Sequence, residues 1–357
     1  MKNNFLSSGV YGCVYHPPYD CQGKPVKDKT FVTKIVKSEF TTRTEYAIGK
    51  LLKQDGFITV VKQCPIKPTL LKQSRMRPNC KLLDKDPQLK NKYVLLYSKY
   101  IKSTELADYL KEVQSKSFVM KSFFLICKRI DVLIDTGIVH HDMHFGNILY
   151  DGSQLYVIDF GLSILQKEFY DGNKPNYPYL KEAIFKYSPA WNFWTLEYHF
   201  LCYLIHEGEL TKPIIEHTIQ YYLSHHKILQ MFGKEFMVKY KDTATNYFMK
   251  YDGMSKDAAI IDLLKTSTTW DLFKIALHFI DIYNNVQLDI PQFMTLLLIM
   301  IHPIPEYRPS QSEMKQFTNI LMRSYSIEGD QSHGKFSKEL SKNLKKTIIA
   351  SKDAYVF

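Results

Sequence analysis

The turn Asp151-Gly152-Ser153-Gln154 limits most narrowly how this chain can fold. Asp and Ser bond back to their own backbone, and Gly frees the chain to reverse. The turn lies between Ile148-Leu149-Tyr150 and Leu155-Tyr156-Val157-Ile158, two short apolar runs. That pattern predicts a β-hairpin. Closing it sets Asn147 opposite Ile158 or Asp159 at the open end, and Asp142, a few residues earlier, reaches the same place. A buried charge without a partner is costly, so these carboxylates need compensation. Oxygens from one Asp and one Asn, with room left for water and phosphate, suit Mg²⁺. A further Asp nearby can serve as a base. The plainer reading is a tight turn whose Asp and Asn act as caps.

The chain has 357 residues and is 45% hydrophobic, enough to bury a large core in one or two domains. Cys13, Cys21, Cys64, Cys80, Cys127 and Cys202 form no CxxC pair and no cluster with His. They are expected as reduced thiols of an intracellular, cytoplasmic protein. The start, MKNNFLSSG, has no apolar signal core, and runs such as Phe293 to Ile301 are too short to span a membrane. The net charge of +11 favours acidic partners without naming one.

The first hundred residues are strand-rich. Val10 to Tyr15, Thr30 to Val36 and Tyr93 to Tyr97 are β-like, and Thr41 to Leu52 has helical spacing. From Thr104 helices dominate: Phe118 to Asp135, ending at a capping Gly137, then Trp194 to Ile205 and Ile290 to Ile301. The expected organisation is α+β and bilobal. A small β-rich lobe covers 1–101, a larger helical lobe 102–325 and a basic tail 326–357, with a ligand in the cleft between lobes.

The N-terminal stretch Ser7-Ser8-Gly9-Val10-Tyr11-Gly12-Cys13-Val14 is a glycine turn between strands. Such a turn lets backbone N–H groups approach phosphate oxygens. In Phe31-Val32-Thr33-Lys34-Ile35-Val36 the lysine shares a strand face with Val32. Alone it reads as solvated; paired with Glu45 it would hold its ammonium over phosphates.

The order is distinctive: glycine loop, strand lysine, helix glutamate, then HHDMHFGN, then IDFG. It resembles the protein-kinase signature set over about residues 5 to 320. Trp191-Asn192-Phe193-Trp194-Thr195-Leu196 looks like the kinase helix that opens Asp-x-Trp-Ser-Leu. Pro303-Ile304-Pro305-Glu306-Tyr307-Arg308-Pro309 looks like the late segment with a structural arginine. The overall look is similar to the divergent serine/threonine kinases of large nucleocytoplasmic DNA viruses, the poxvirus virion-kinase type among them.

The resemblance implies roles. Ser7, Gly9, Gly12 and Val14 would cover ATP, with Lys34, fixed by Glu45, on its α and β phosphates. Asp159 and Asn147 would bind Mg, or Mn, and Asp142 would accept the proton of the substrate hydroxyl. Ser98 to Ile101, with Lys99 and Tyr100 at its centre, would hold adenine. The implied activity is ATP-dependent serine/threonine protein kinase. A pseudokinase scaffold and a small-molecule phosphotransferase are the alternatives, and the substrate is an unidentified protein.

The sequence also departs from the kinase pattern. Ser7 stands for the first loop glycine, His141 for the arginine before the catalytic aspartate, and His144 for the lysine two residues after it. Ser188-Pro189-Ala190 replaces Ala-Pro-Glu, which leaves Glu197 as a substitute partner for Arg308. The short interval from Lys34 to Glu45 makes Glu39 an alternative. DMHFGN also resembles aminoglycoside-type and other atypical kinases.

Two basic segments stand apart. Lys62 to Lys81 carries six cations and no acid, which suits a solvated loop or a dock for acidic protein or nucleic acid. Lys335 to Lys352 reads as a basic amphipathic helix, to pack on the large lobe or touch an anionic membrane surface. If the chain is viral, the likeness extends to placement in the virion. The run Lys167 to Tyr187 would be the activation segment, with Tyr170, Tyr177, Tyr179 and Ser188 open to phosphorylation.

Overall fold

The structure, a computed structural model, describes residues 4–9, 11–77, 79–112, 115–286 and 290–326. The expected tail helix at 335–352 lies outside the described residues, as does Val10. The chain is α+β and divides into two compact units. One comprises Met1–Tyr109 with Phe145–Ile164, the other Leu110–His144 with Leu165–Phe357.

The first unit is built on an antiparallel sheet of β1 (Phe5–Ser8), β2 (Gly12–Tyr15), β3 (Phe31–Lys37), β4 (Val60–Ile66) and β5 (Tyr93–Lys99), ordered β1-β2-β3-β5-β4. Side chains alternate across a strand, so each strand feeds two faces. Val36, Val60, Val94 and Leu96 pack with Tyr46 of helix α1 (Phe40–Leu51). Ile35, Leu95, Tyr97, Cys13 and Tyr15 pack with Leu71, Met76, Leu82 and Leu83, supplied by α2 (Pro68–Gln73), α3 (Lys81–Asp84) and the loop joining them. Both faces are therefore covered, which is why β3 and β5 read as nearly continuous apolar runs. Each fully buried Leu or Val contributes roughly 1.5–3 kcal/mol.

Helix α1 lies unusually close to β4. A Cβ added at Gly49 would stand 2.0 Å from Val60 O, so only glycine permits the approach. Gly49 is one helical turn after Glu45, on the same face.

Two expectations are corrected in this unit. Four of the cysteines are not free: Cys13 bonds to Cys80 and Cys21 to Cys64. Sequence separations of 67 and 43 hide the pairing, which arises only when the sheet and the covering helices bring the Cα atoms to 5.7 and 5.9 Å. Cys127 and Cys202 remain as buried thiols. The basic stretch 62–81 is no solvated loop. It runs through β4 and α2, and its Leu71 and Met76 are fully buried while the lysines stay outside.

The predicted hairpin forms β8 (Ile148–Tyr150) and β9 (Leu155–Val157), with β6 (Thr104–Glu105) paired alongside β8. A short strand β7 (Ile138–Val139) precedes them in the chain. The hairpin register is Ile148 with Val157, Leu149 with Tyr156 and Tyr150 with Leu155. Asp151 Oδ1 accepts the N–H groups of Ser153 and Gln154 at 2.8 and 2.9 Å, closing the turn.

The second unit is helical: α5 (Lys116–Asp135), α6 (Tyr177–Ala183), α7 (Leu196–His206), α8 (Lys212–His225), α9 (Lys227–Gln230), α10 (Gly233–Phe248), α11 (Lys256–Leu264), α12 (Trp270–Val286), α13 (Pro291–Met300) and α14 (Gln311–Ser326). Helix α4 (Leu106–Glu112) joins the two units in sequence. Ser115 caps α5 by accepting the Phe118 N–H, and Gly137 ends it at φ +68°. The apolar face of α5 is anchored by Phe123, whose ring meets Phe279 of α12 and Phe293 of α13 edge-on. Among the described residues, no helix is long and apolar enough to cross a membrane.

Candidate functional site

The first unit gathers a charged group around one lysine. Lys34 Nζ donates to Asp159 Oδ1 at 2.8 Å and to Glu45 Oε1 and Oε2 at 3.4 and 3.3 Å. Lys34 reaches them because β3 aims alternate side chains toward α1. Burial works against its charge, but Glu45 and Asp159 outweigh that and raise its pKa. Burial pushes the Glu45 carboxyl up, and the Asp159 charge adds to this against the pull of Lys34. Glu45 is the partner. Glu39 instead sits 3.9 Å from Lys37.

Asp159 holds a positive φ of +61°, which turns its side chain out of the line of β9. Asn147, buried in a short 3₁₀ turn, accepts the Ile158 N–H on its carbonyl at 3.0 Å. The hairpin thus fixes Asn147 directly opposite Ile158. Asn147 and Asp159 carry side-chain oxygens of the hard type that suits Mg²⁺.

The glycine loop and the adenine segment are less open than the sequence implied. The Gly9 N–H donates to Gly12 O at 2.9 Å, so it is already satisfied. Gly12 is glycine for packing: an added Cβ would lie 2.6 Å from Ile35 O. Ser7 and Val14 face each other across the β1–β2 pairing. Lys99 ends β5 opposite Phe31, and the Tyr100 N–H donates to Thr30 O at 2.8 Å. The amide of Tyr100 is thus committed to the sheet, with its ring stacked on His16 at 3.6 Å.

The second unit holds Asp142. Its carboxylate meets Lys274 Nζ at 3.2 Å through Oδ1 and His144 Nε2 at 3.6 Å through Oδ2. Burial alone would raise this carboxyl. The His144 hydrogen bond and the Lys274 charge outweigh it and hold Asp142 well below the usual carboxylate range. His141, beside it, is 4% exposed at φ +63°, and burial drives its imidazole neutral. A strained, buried segment needs an anchor. Asp271 of α12 provides one, its carboxylate accepting the His140 and His141 N–H groups at 2.7 and 2.8 Å.

Arg308 forms a bidentate ion pair with Glu197, and also donates to Thr269 Oγ1 at 3.0 Å and His302 O at 2.8 Å. Both partners are buried and Glu197 is wholly enclosed. The substitute partner expected for Arg308 is thus in place. The expectation for Trp191 to Leu196 is corrected. That stretch leads into α7, with Thr195 as its N-cap and Leu196 as its first residue, and brings Glu197 to Arg308. The helix whose aspartate grips the His140–His141 backbone is α12. The sequence reading missed Asp271 and Lys274. Their signal was present as two charges three residues apart within a nearly continuous apolar helix.

Among the proposed phosphorylation sites, two tyrosines are engaged. Tyr177 donates to Asp257 Oδ1 at 2.7 Å, and Tyr179 accepts the Leu165 N–H at 2.7 Å. Among the described residues, no group of three or more His, Cys, Asp and Glu side chains is placed to hold a metal ion.

Residues 87–172 match the ABC1 atypical kinase-like domain. That stretch, about a quarter of the chain, contains Asp142, Asn147 and Asp159. No curated protein sequence matches the chain. Among solved structures, the BubR1 kinase domain aligns at 18% identity over 48% of this chain and 48% of that one, with a TM-score of 0.33.

Proposed function

We propose that the protein is an ATP-dependent kinase that transfers the γ-phosphate to serine or threonine hydroxyls of a protein substrate. The observation that carries this reading is Lys34 held between Glu45 and Asp159. An ammonium fixed by two carboxylates on a rigid sheet suits the α and β phosphates. Asn147 and Asp159 would hold Mg²⁺ or Mn²⁺, which supplies charge neutralisation between phosphate groups. Asp142, kept ionised by its neighbours, would orient the acceptor hydroxyl and take its proton. His144 would lend a hydrogen bond.

The protein-directed form of the reading rests on Asp271 and on the Glu197–Arg308 pair, which are similar to supports of the catalytic and substrate segments in protein kinases. The likeness to kinases of large nucleocytoplasmic DNA viruses is part of the same proposal. A small-molecule phosphotransferase is the second reading, favoured by the ABC1 match and the DMHFGN wording. A scaffold without activity is disfavoured, since Lys34, Asp142, Asn147 and Asp159 are all present.

The test is transfer from γ-labelled ATP, with Mg²⁺ or Mn²⁺, to casein and to the protein itself, beside the Asp159→Asn variant. Label on serine or threonine that vanishes in the variant is the expected result. Nucleotide binding without protein labelling would overturn the protein-kinase form and favour the second reading.

A further inference from the structure

The loop around Asp142 carries neither the arginine nor the lysine of the kinase pattern, since His141 and His144 occupy both places. His141 cannot supply a charge, because its ring is enclosed by Tyr198, at 4.2 Å between centroids, and by Trp194. A cation arrives from elsewhere. Lys274 of α12, 5% exposed, places Nζ 3.1 Å from His141 O and 3.2 Å from Asp142 Oδ1. Three residues earlier on the same helix face, Asp271 accepts the His140 and His141 N–H groups. One helical turn therefore grips the segment His140–Asp142 through two amides, one carbonyl and one carboxylate.

We infer that Lys274 is a positioning residue for Asp142, supplying from α12 a lysine that the loop itself does not encode. The role rests on the proposed function of Asp142. The geometry supports more than charge balance. Nζ bonds the main chain and the side chain of the loop together, so it fixes the carboxylate relative to its own backbone. Both Asp271 oxygens are already held by amides, and Nζ is aimed at Asp142. Burying an ammonium is costly unless its partner is fixed and close, and here the partner is the carboxylate the chemistry needs. Burial lowers the Lys274 pKa, and the Asp142 charge works against that fall.

The experiment compares unmodified protein with Lys274→Met and Lys274→Arg. It reads kcat, KM for ATP, fluorescent-nucleotide binding and melting temperature, with the crystal structure of Lys274→Met solved in parallel. Misplacing a reacting group by about 1 Å costs about 100-fold, so kcat of Lys274→Met is expected to fall by about that factor. KM for ATP and nucleotide binding should stay within about twofold, Lys274→Arg should recover part of kcat, and the Asp142 carboxylate should be rotated in the crystal. Unchanged kcat, or a loss that tracks melting temperature without recovery by Arg, would overturn the inference. If the unmodified protein binds nucleotide but transfers nothing, the functional reading fails by itself. The crystal structure then decides, and an unmoved Asp142 carboxylate would overturn the positioning role.

Discussion

Lys34 Nζ stands closer to Asp159 Oδ1, at 2.8 Å, than to either oxygen of Glu45. The lysine thus couples a strand, a helix and the hairpin end within one unit. Removing its charge leaves two carboxylates facing each other. Lys34→Met is expected to keep the fold and to lower phosphate transfer by about 100-fold or more. Kinetics with labelled ATP beside circular dichroism would check this. Transfer at the unmodified rate would remove Lys34 from the phosphate site.

Gly49 sets where Glu45 stands. Gly49→Ala pushes a methyl group against Val60 O, which is backbone and cannot turn aside. Helix α1 must then lift from β4, carrying Glu45 away from Lys34. The expected result is a loss of roughly 1–3 kcal/mol of stability together with weaker nucleotide binding. Urea unfolding and titration with a fluorescent nucleotide would measure both.

The Glu197–Arg308 pair is enclosed and bidentate, and Thr269 and His302 accept two further Arg308 hydrogens. Arg308→Ala leaves a buried carboxylate unpaired, which costs about 3–5 kcal/mol. Glu197→Ala strands the guanidinium and should cost a similar amount. Denaturant midpoints of the two single variants and the double variant would show whether the losses are shared, as they must be for one interaction.

Two buried imidazoles give the fold a pH dependence. Burial lowers His199 to about 4 and His226 to about 3, from an ordinary value of 6.5. His226 Nδ1 accepts the Leu229 N–H as the cap of α9, which requires the neutral ring. The folded values lie below the unfolded one, so the unfolded chain takes up protons first. The stabilisation is complete above pH 6.5 and is lost as the pH falls toward 4. By pH 5 each ring contributes about 2 kcal/mol less. Melting temperatures between pH 8 and 5 should therefore drop only below about 6.5. Replacing both by Gln should shrink the drop and leave the part that the buried rings of His141 and His278 supply.

Much of the hairpin was legible because its turn chemistry is local. Asp151 and Gly152 fix the reversal, and register then follows from the side-chain period of two. Glu45 was legible through its helical spacing. The disulfides, Asp271 and Lys274 were not, because each depends on contacts far apart in sequence: 67 residues for Cys13 and Cys80, 132 for Asp142 and Lys274. The placing of α12 failed for a related reason. A tryptophan near the start of an apolar helix occurs twice here, in Trp194 before α7 and Trp270 in α12, and only the position of Asp271 tells them apart. The engagement of the Tyr100 amide was not legible because its partner, Thr30 O, lies just outside the neighbouring strand.

Cys13–Cys80 and Cys21–Cys64 are nested, the second bond lying inside the loop closed by the first. Lys34, Glu45 and Gly49 all fall within the inner ring. A single protease cut anywhere between residues 22 and 63 would therefore release no fragment. The nicked protein would run as one species on a gel without reductant and as two with it. The strand and helix that carry Lys34 and Glu45 can be severed from the chain in sequence and still stay in covalent register with it.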